Sequence, residues 1–409
     1  MGLRGGWTAL RVRGRAALAV LVPLAVATVL GGGAAGFATA SGVGAGAAAG
    51  AGGASGASVA SGAAGAAGGG AAGASGAAGA GGARTAASVP QPYTFIHDPA
   101  MAREGNTYYV FSTGDPAGVI GNGNIQIRTS RNLRSWQYQG TVFAQQPAWI
   151  TSALGSIPNL WAPDISYFGG LWHLYYAGSS FGSNNSVIGL ATTPTLNPAS
   201  PRYHWTDDGL VFRSTTADDY NAIDPSLVTD AAGAKWLSFG SFWSGIKLIS
   251  LDTATGKPSS AVPTVYSLAA KPAPDPEEGS GIVYHGGYYY LFVAVDYCCK
   301  GISSTYHIQV GRSASITGPY VDASGTAMLN GGGMEVQGTD AGMIGPGSPF
   351  VFGPGAGGGT APLLVYHYYD AFDSGDAWIQ IRSLSWVDGW PVTGNPFVPV
   401  PGQAGPAGS

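Results

Sequence analysis

The sequence predicts an all-β fold, a five-bladed β-propeller, and three observations lead there. One layout, a polar opening followed by a turn and two strand-like runs, recurs five times. The runs are aromatic and β-branched, alternating or continuously apolar over strand length. No long stretch carries helical periodicity, and the chain of 409 residues holds 68 glycines but only 18 basic and 22 acidic residues. Coiled coils and ordinary helical bundles need far more charge and less glycine. The acidic balance and the lack of basic runs argue against nucleic-acid binding. Two cysteines do not make a disulfide scaffold, and no P-loop or Rossmann glycine pattern sits between strand and helix.

Taken in chain order, residues 1–40 read as an export signal. Arg4, Arg11, Arg13 and Arg15 precede an apolar run over 16–30, and Ala38-Thr39-Ala40 fits a small-residue cleavage site. The run is short for a membrane span, which needs about 20 apolar residues; left uncleaved, it would tether the protein to the cell surface. Residues 41–87 are almost wholly Gly, Ala and Ser. They lack the large side chains that offset chain entropy, so a flexible, disordered linker is expected. These stretches also distort the charge count. Removing the four arginines of 1–83, which holds no acid, leaves 14 bases against 22 acids, so the remainder carries −8 where the whole chain carries −4. One folded domain is expected over 88–401, with a short tail over 402–409.

Within that domain the five openings are His97-Asp98-Pro99, Ala162-Pro163-Asp164, Asn221-Ala222-Ile223-Asp224-Pro225, Glu277-Glu278-Gly279 and Gly345-Pro346-Gly347-Ser348. Each leads to an apolar run: Tyr108-Tyr109-Val110-Phe111, Trp172-His173-Leu174-Tyr175-Tyr176, Lys235-Trp236-Leu237-Ser238-Phe239, Tyr288-Tyr289-Tyr290-Leu291-Phe292 and Leu363-Leu364-Val365-Tyr366-His367. A third strand follows in each, such as Ile125-Gln126-Ile127-Arg128 and Ile379-Gln380-Ile381-Arg382. Aligning Asp98, Asp164, Asp224, Glu278 and Ser348 gives spacings of 66, 60, 54 and 70 residues, the length of a four-stranded sheet with loops. In a propeller, equivalent openings face one place, the mouth of the central axis. Four carboxylates are therefore expected to converge there and to raise one another's pKa. Paired carboxylates with separated pKa values are the minimum equipment for glycoside hydrolysis, and Tyr and Trp offer flat faces to a sugar.

The motifs Ile96-His97-Asp98-Pro99, Leu160-Trp161-Ala162-Pro163-Asp164-Ile165, Ser179-Ser180-Phe181-Gly182-Ser183-Asn184, Asn221-Ala222-Ile223-Asp224-Pro225, Gly240-Ser241-Phe242-Trp243-Ser244-Gly245-Ile246 and Asp296-Tyr297-Cys298-Cys299 resemble the endo-1,5-α-L-arabinanases of glycoside hydrolase family 43. The resemblance spans about 93–391. It implies a five-bladed propeller that cleaves internal α-1,5-L-arabinofuranosidic bonds of plant-wall arabinan with inversion. It also implies Asp98 as general base, Glu278 as general acid, and Asp224 as the group that raises the acid's pKa and orients it. Trp161 and Phe181 would be sugar platforms, and Asn221, Ser241 and Asp164 further substrate contacts; for Asn221 and Ser241, a turn or strand-end hydrogen bond is the other reading. His367 matches a histidine that faces a calcium ion largely coordinated by water, against the alternative of a hydrogen-bonded core histidine, since calcium prefers oxygen ligands. No organic cofactor is implied, and the expected working form is a secreted monomer acting on arabinan or its oligosaccharides. Two segments depart from the family pattern. Glu277-Glu278-Gly279-Ser280-Gly281 replaces an Ile-Glu-Ala-Pro-like stretch, and Ser348 stands where a His is usual. Exo-acting α-L-arabinofuranosidase or β-xylosidase activity, or a weakened carbohydrate-binding propeller, are the competing readings. Cys298 and Cys299, adjacent in an exported chain, are either a vicinal disulfide or buried thiols.

Overall fold

The computed structural model describes residues 95–117, 122–353 and 361–400. The export signal, the linker and the tail lie outside the described residues. Within them, twenty strands form five antiparallel four-stranded sheets, each built from consecutive strands. Blade 1 comprises β1 (Ala100–Glu104), β2 (Thr107–Ser112), β3 (Gln126–Ser130) and β4 (Gln137–Thr141). A short helix, α1 (Ala148–Leu154), precedes blade 2: β5 (Leu160–Phe168), β6 (Leu171–Gly178), β7 (Ser186–Thr193) and β8 (Thr206–Ser214). Blade 3 holds β9 (Ser226–Thr229), β10 (Lys235–Phe239), β11 (Ile246–Leu251) and β12 (Tyr266–Ala269). Blade 4 holds β13 (Glu277–His285), β14 (Tyr288–Val295), β15 (His307–Ser313) and β16 (Met334–Gln337). Blade 5 holds β17 (Met343–Phe352), β18 (Leu363–Asp370), β19 (Ala377–Val387) and β20 (Trp390–Pro396).

The apolar runs read from the sequence become the second and third strands, which are buried on both faces because each blade is covered by its neighbours. Every residue of β7 and β18 is buried, as is all of β6 except Leu171. The first strands β1, β5, β9, β13 and β17 touch in sequence and close the ring where β1 meets β17. Among the described residues, closure uses no exchanged strand. Instead Ile96 N–H donates to Ala377 O at 2.9 Å, and one apolar cluster joins Ile96, Met101 and Val110 of blade 1 to Val365, Ile379 and Ile381 of blade 5.

Three of the five first strands, β5, β13 and β17, are bulged where they reach the axis. Register shifts fall between Trp161 and Asp164, between Glu278 and Gly281, and between Gly347 and Phe350. A bulge bends its strand and re-aims a side chain, a device common beside active sites. The five openings carry one residue each in the left-handed region: Asp98 (φ +52°), Ala162 (+42°), Asp224 (+56°), Gly279 (+60°) and Ser348 (+53°). These five, each with the residue that follows it, line the axial cavity. The structural repeat is thus Asp98-Pro99, Ala162-Pro163, Asp224-Pro225, Gly279-Ser280, Ser348-Pro349. This corrects the expected alignment: Asp164 lies two residues after the repeat position and Glu278 one before it, so only Asp98 and Asp224 are true equivalents.

Candidate active site

Asp98 sits at the mouth of blade 1 in a fully connected shell. His97 Nδ1 bonds its Oδ2 at 2.8 Å and the Thr113 hydroxyl donates to the same oxygen at 2.6 Å. The Asp98 amide donates to His367 Nδ1 at 3.1 Å. The rings of His97 and His367 stack at 3.8 Å between centroids, and His97 Nε2 lies 2.8 Å from the Tyr369 hydroxyl. Burial alone would push the Asp98 carboxyl up. The charge and hydrogen bond of His97, with help from Thr113, outweigh it and hold the group well below the usual carboxylate range. Burial likewise opposes charge on His97, but Asp98 raises its pKa above the ordinary value. Asp98 is therefore ionised at any working pH.

Glu278 stands opposite in character. Ser241, from the loop after β10, donates its hydroxyl to Glu278 Oε2, and an isolated bridge pairs the two backbones. Burial pushes Glu278 up to about 7; Ser241 pulls the other way, and the Asp98 charge adds to the rise. Burial, then Glu278, then Asp98 raise Asp224 well above its ordinary value, against a 3.1 Å hydrogen bond from the Gly279 amide to Asp224 Oδ2. Asp224 and Glu278 thus hold a proton between them near neutral pH, as like charges confined together do. The sequence expectation made Asp224 the cause of the acid's raised pKa. Burial is the leading cause for both carboxyls, and Asp98 adds to each.

The remaining expected site residues divide by exposure. Phe181, in the turn between β6 and β7, is 84% exposed. Trp161 is half-buried, its indole N–H fixed on Asn159 Oδ1 at 2.9 Å. Both present rings at the open side. Asn221 is buried and accepts from the Ser186 hydroxyl at 2.7 Å, the strand-end reading. Ser241 is committed to Glu278. Asp164 is 2% exposed, takes hydrogen bonds from Ser166, Ser226 and the Leu227 amide, and is pushed up to about 7 by burial. It links blade 2 to blade 3 inside the axis.

His367 is fully buried and neutral, its pKa held down by burial first and then by His97. Its Nε2 is buried without a partner among the described residues. That orphaned atom fits a single protein donor to an ion whose other ligands are water. Cys298 and Cys299 form a disulfide, and Cys299 is exposed, which settles their state against buried thiols. His97, Thr113 and Tyr369 were not singled out from sequence. His97 had a signal, its place beside Asp98; Tyr369, 272 residues from His97, had none beyond lying two residues after His367.

The family profile for glycosyl hydrolases family 43 matches residues 90–391. The chain belongs to glycosyl hydrolase family 43. It is 42% identical over 298 residues to an extracellular endo-α-(1→5)-L-arabinanase of Bacillus subtilis, a match covering 72% of this chain and 87% of that one. It is 39% identical over 312 residues to an extracellular exo-α-(1→5)-L-arabinofuranosidase of Cellvibrio japonicus, covering 72% and 85%. Among solved structures, a family 43 endo-arabinanase from Bacillus licheniformis superposes with a TM-score of 0.66 at 45% identity, covering 73% of this chain and 97% of that chain. The five-bladed fold and the family expectation from the motifs are borne out.

Proposed function

We propose that this family 43 hydrolase is an endo-1,5-α-L-arabinanase acting with inversion, with Asp98 as base and Glu278 as acid. The observation that carries the roles is the protonation split at the axis mouth: Asp98 is held ionised by His97 and Thr113, while burial keeps a proton on the Asp224–Glu278 pair. Ionised Asp98 takes a proton from water as the oxygen bonds to the anomeric carbon. Protonated Glu278 gives its proton to the departing glycosidic oxygen as the old bond breaks. Asp224, fixed by the Gly279 amide, keeps the acid oriented and its proton available. Phe181 and Trp161 supply flat faces for the furanose rings.

The substrate reading rests on the arabinan-cleaving relatives in both the curated and structural comparisons. Incubation with debranched linear α-1,5-arabinan tests it. A time course giving a ladder of oligosaccharides supports endo cleavage. Monomer alone would move the assignment to the exo mode that the Cellvibrio relative carries in its name, and no product at any pH would overturn the reading. Proton NMR of the first-formed anomer should show inversion. His367 Nε2 would hold a calcium ion, whose charge would steady the axis; chelation should then lower the melting temperature, and an unchanged melt would refute the ion. The chain is proposed to work as a secreted monomer. N-terminal sequencing of exported protein should begin after Ala40.

A further inference from the structure

The disulfide lies against the base. Cys299 occupies the left-handed region at φ +64°, a conformation that residues other than glycine rarely adopt. From that position its amide donates to the Tyr369 hydroxyl at 2.8 Å. The same hydroxyl meets His97 Nε2 at 2.8 Å, and His97 Nδ1 meets Asp98 Oδ2 at 2.8 Å. Cys299 Sγ itself stands 3.9 Å from both His97 Nε2 and the Tyr369 oxygen. A neutral His97 gives one consistent chain: Cys299 N–H to Tyr369, Tyr369 O–H to His97 Nε2, His97 Nδ1–H to Asp98. A charged His97 donates at both nitrogens and keeps the same four groups joined. The ring closed between neighbouring residues 298 and 299 keeps Cys299 in the conformation that aims its amide.

We propose that the Cys298–Cys299 disulfide and Tyr369 are positioning elements for the base, which they act on through His97, and that opening the disulfide slows turnover. The proposal rests on the assignment of Asp98 as base. Because Cys299 is exposed, a dithiol reductant can reach the bond. Its two thiols become a disulfide, and two electrons and two protons pass to Cys298 and Cys299 as free thiols. Cys299 is then free to leave the left-handed region, its amide leaves Tyr369, and the orientation of His97 and Asp98 loosens. Small misplacements of a reacting group are felt mainly in turnover.

The test measures initial rates on linear arabinan before and after dithiothreitol, with the thiols titrated. The reduced enzyme should lose up to roughly tenfold in kcat, the scale of one neutral intramolecular hydrogen bond, with KM within about twofold. Tyr369→Phe should lose a similar factor, and reducing that variant should add little, because both changes break one link. The Cys298→Ser/Cys299→Ser double variant should resemble the reduced enzyme and ignore reductant; if it does not fold, reduction of folded wild type and of Tyr369→Phe still decides. Unchanged kcat in enzyme with two titrated thiols overturns the proposal, as do losses from reduction and Tyr369→Phe that multiply. An oxidised wild type that does not cleave arabinan instead overturns the activity reading, so the two failures are distinguishable.

Discussion

Ser241→Ala isolates the group that tunes the acid. Its hydroxyl donates to Glu278 Oε2 and is the main influence lowering a carboxyl that burial has pushed up to about 7. A hydrogen bond to a charged acceptor is worth about 1.5–3 kcal/mol, and one pKa unit is about 1.36 kcal/mol. Removing the donor should therefore raise the Glu278 pKa by roughly one to two units. The sign for catalysis follows from the role. An acid works while protonated, so activity falls as pH rises through its pKa. In the variant this alkaline limb should move to higher pH by roughly one unit or more, while Asp98 stays ionised throughout. The assay is kcat/KM for linear arabinan across pH, which reports the free enzyme. kcat should also fall, since Ser241 orients the carboxyl as well as tuning it. A limb that stays near its wild-type position or moves to lower pH, in a variant that still turns over, would refute Glu278 as the acid tuned by Ser241.

Three further outcomes are expected. Gly279→Ala places a methyl group at φ +60°, with the Ser348 Cα only 3.2 Å from the new Cβ; it should cost about 1–2 kcal/mol, read as a lower melting temperature, and should depress kcat because the Gly279 amide holds Asp224. Glu277 is fully buried, its carboxylate oxygens have no hydrogen-bond partner among the described residues, and burial pushes it up to about 8. A raised acid stabilises the fold below its unfolded pKa and loses that contribution as pH climbs to the folded value, so Glu277→Gln should gain in melting temperature over wild type as pH rises from about 4.5 to about 8, the gap then staying level. Glu278→Gln should lower kcat by a factor of about 100 or more, and an active Glu278→Gln beside a dead Glu277→Gln would reverse the assignment of the two neighbours.

Much of this was legible because strand periodicity and blade length are written locally. The runs at Tyr108, Trp172, Trp236, Tyr288 and Leu363 became second strands because covered sheets demand continuous apolar sequence. Asp98, Asp224 and Glu278 met because a propeller points its openings inward. The error lay in aligning charge instead of backbone. Pro follows Asp98, Ala162, Asp224 and Ser348, a repeated dipeptide that marks the left-handed opening residue, and it would have placed Ala162 at the repeat position. The shell of Asp98 was illegible for a different reason. Thr113 follows β2 of blade 1, while His367 and Tyr369 lie in β18 of blade 5; ring closure brings the two blades together, and no local pattern encodes which side chain will face which across the axis.

The displaced register is what lets one repeated backbone serve two opposite chemistries. Asp98 occupies the repeat position itself, where His97 and Thr113 both bond its Oδ2, and it ionises. Glu278 sits one residue earlier, at the register shift in β13, with Gly279 taking the left-handed position in its place. That single step removes Glu278 from the equivalent shell, leaves it one hydroxyl from Ser241, and lets burial dominate its pKa. Had the acid occupied the repeat position, it would have faced the axis as Asp98 and Asp224 do. A third carboxylate there would compete with them for the same donors. Gly279 fills the repeat position, as Ala162 does in blade 2, and its amide holds Asp224 within reach of the acid.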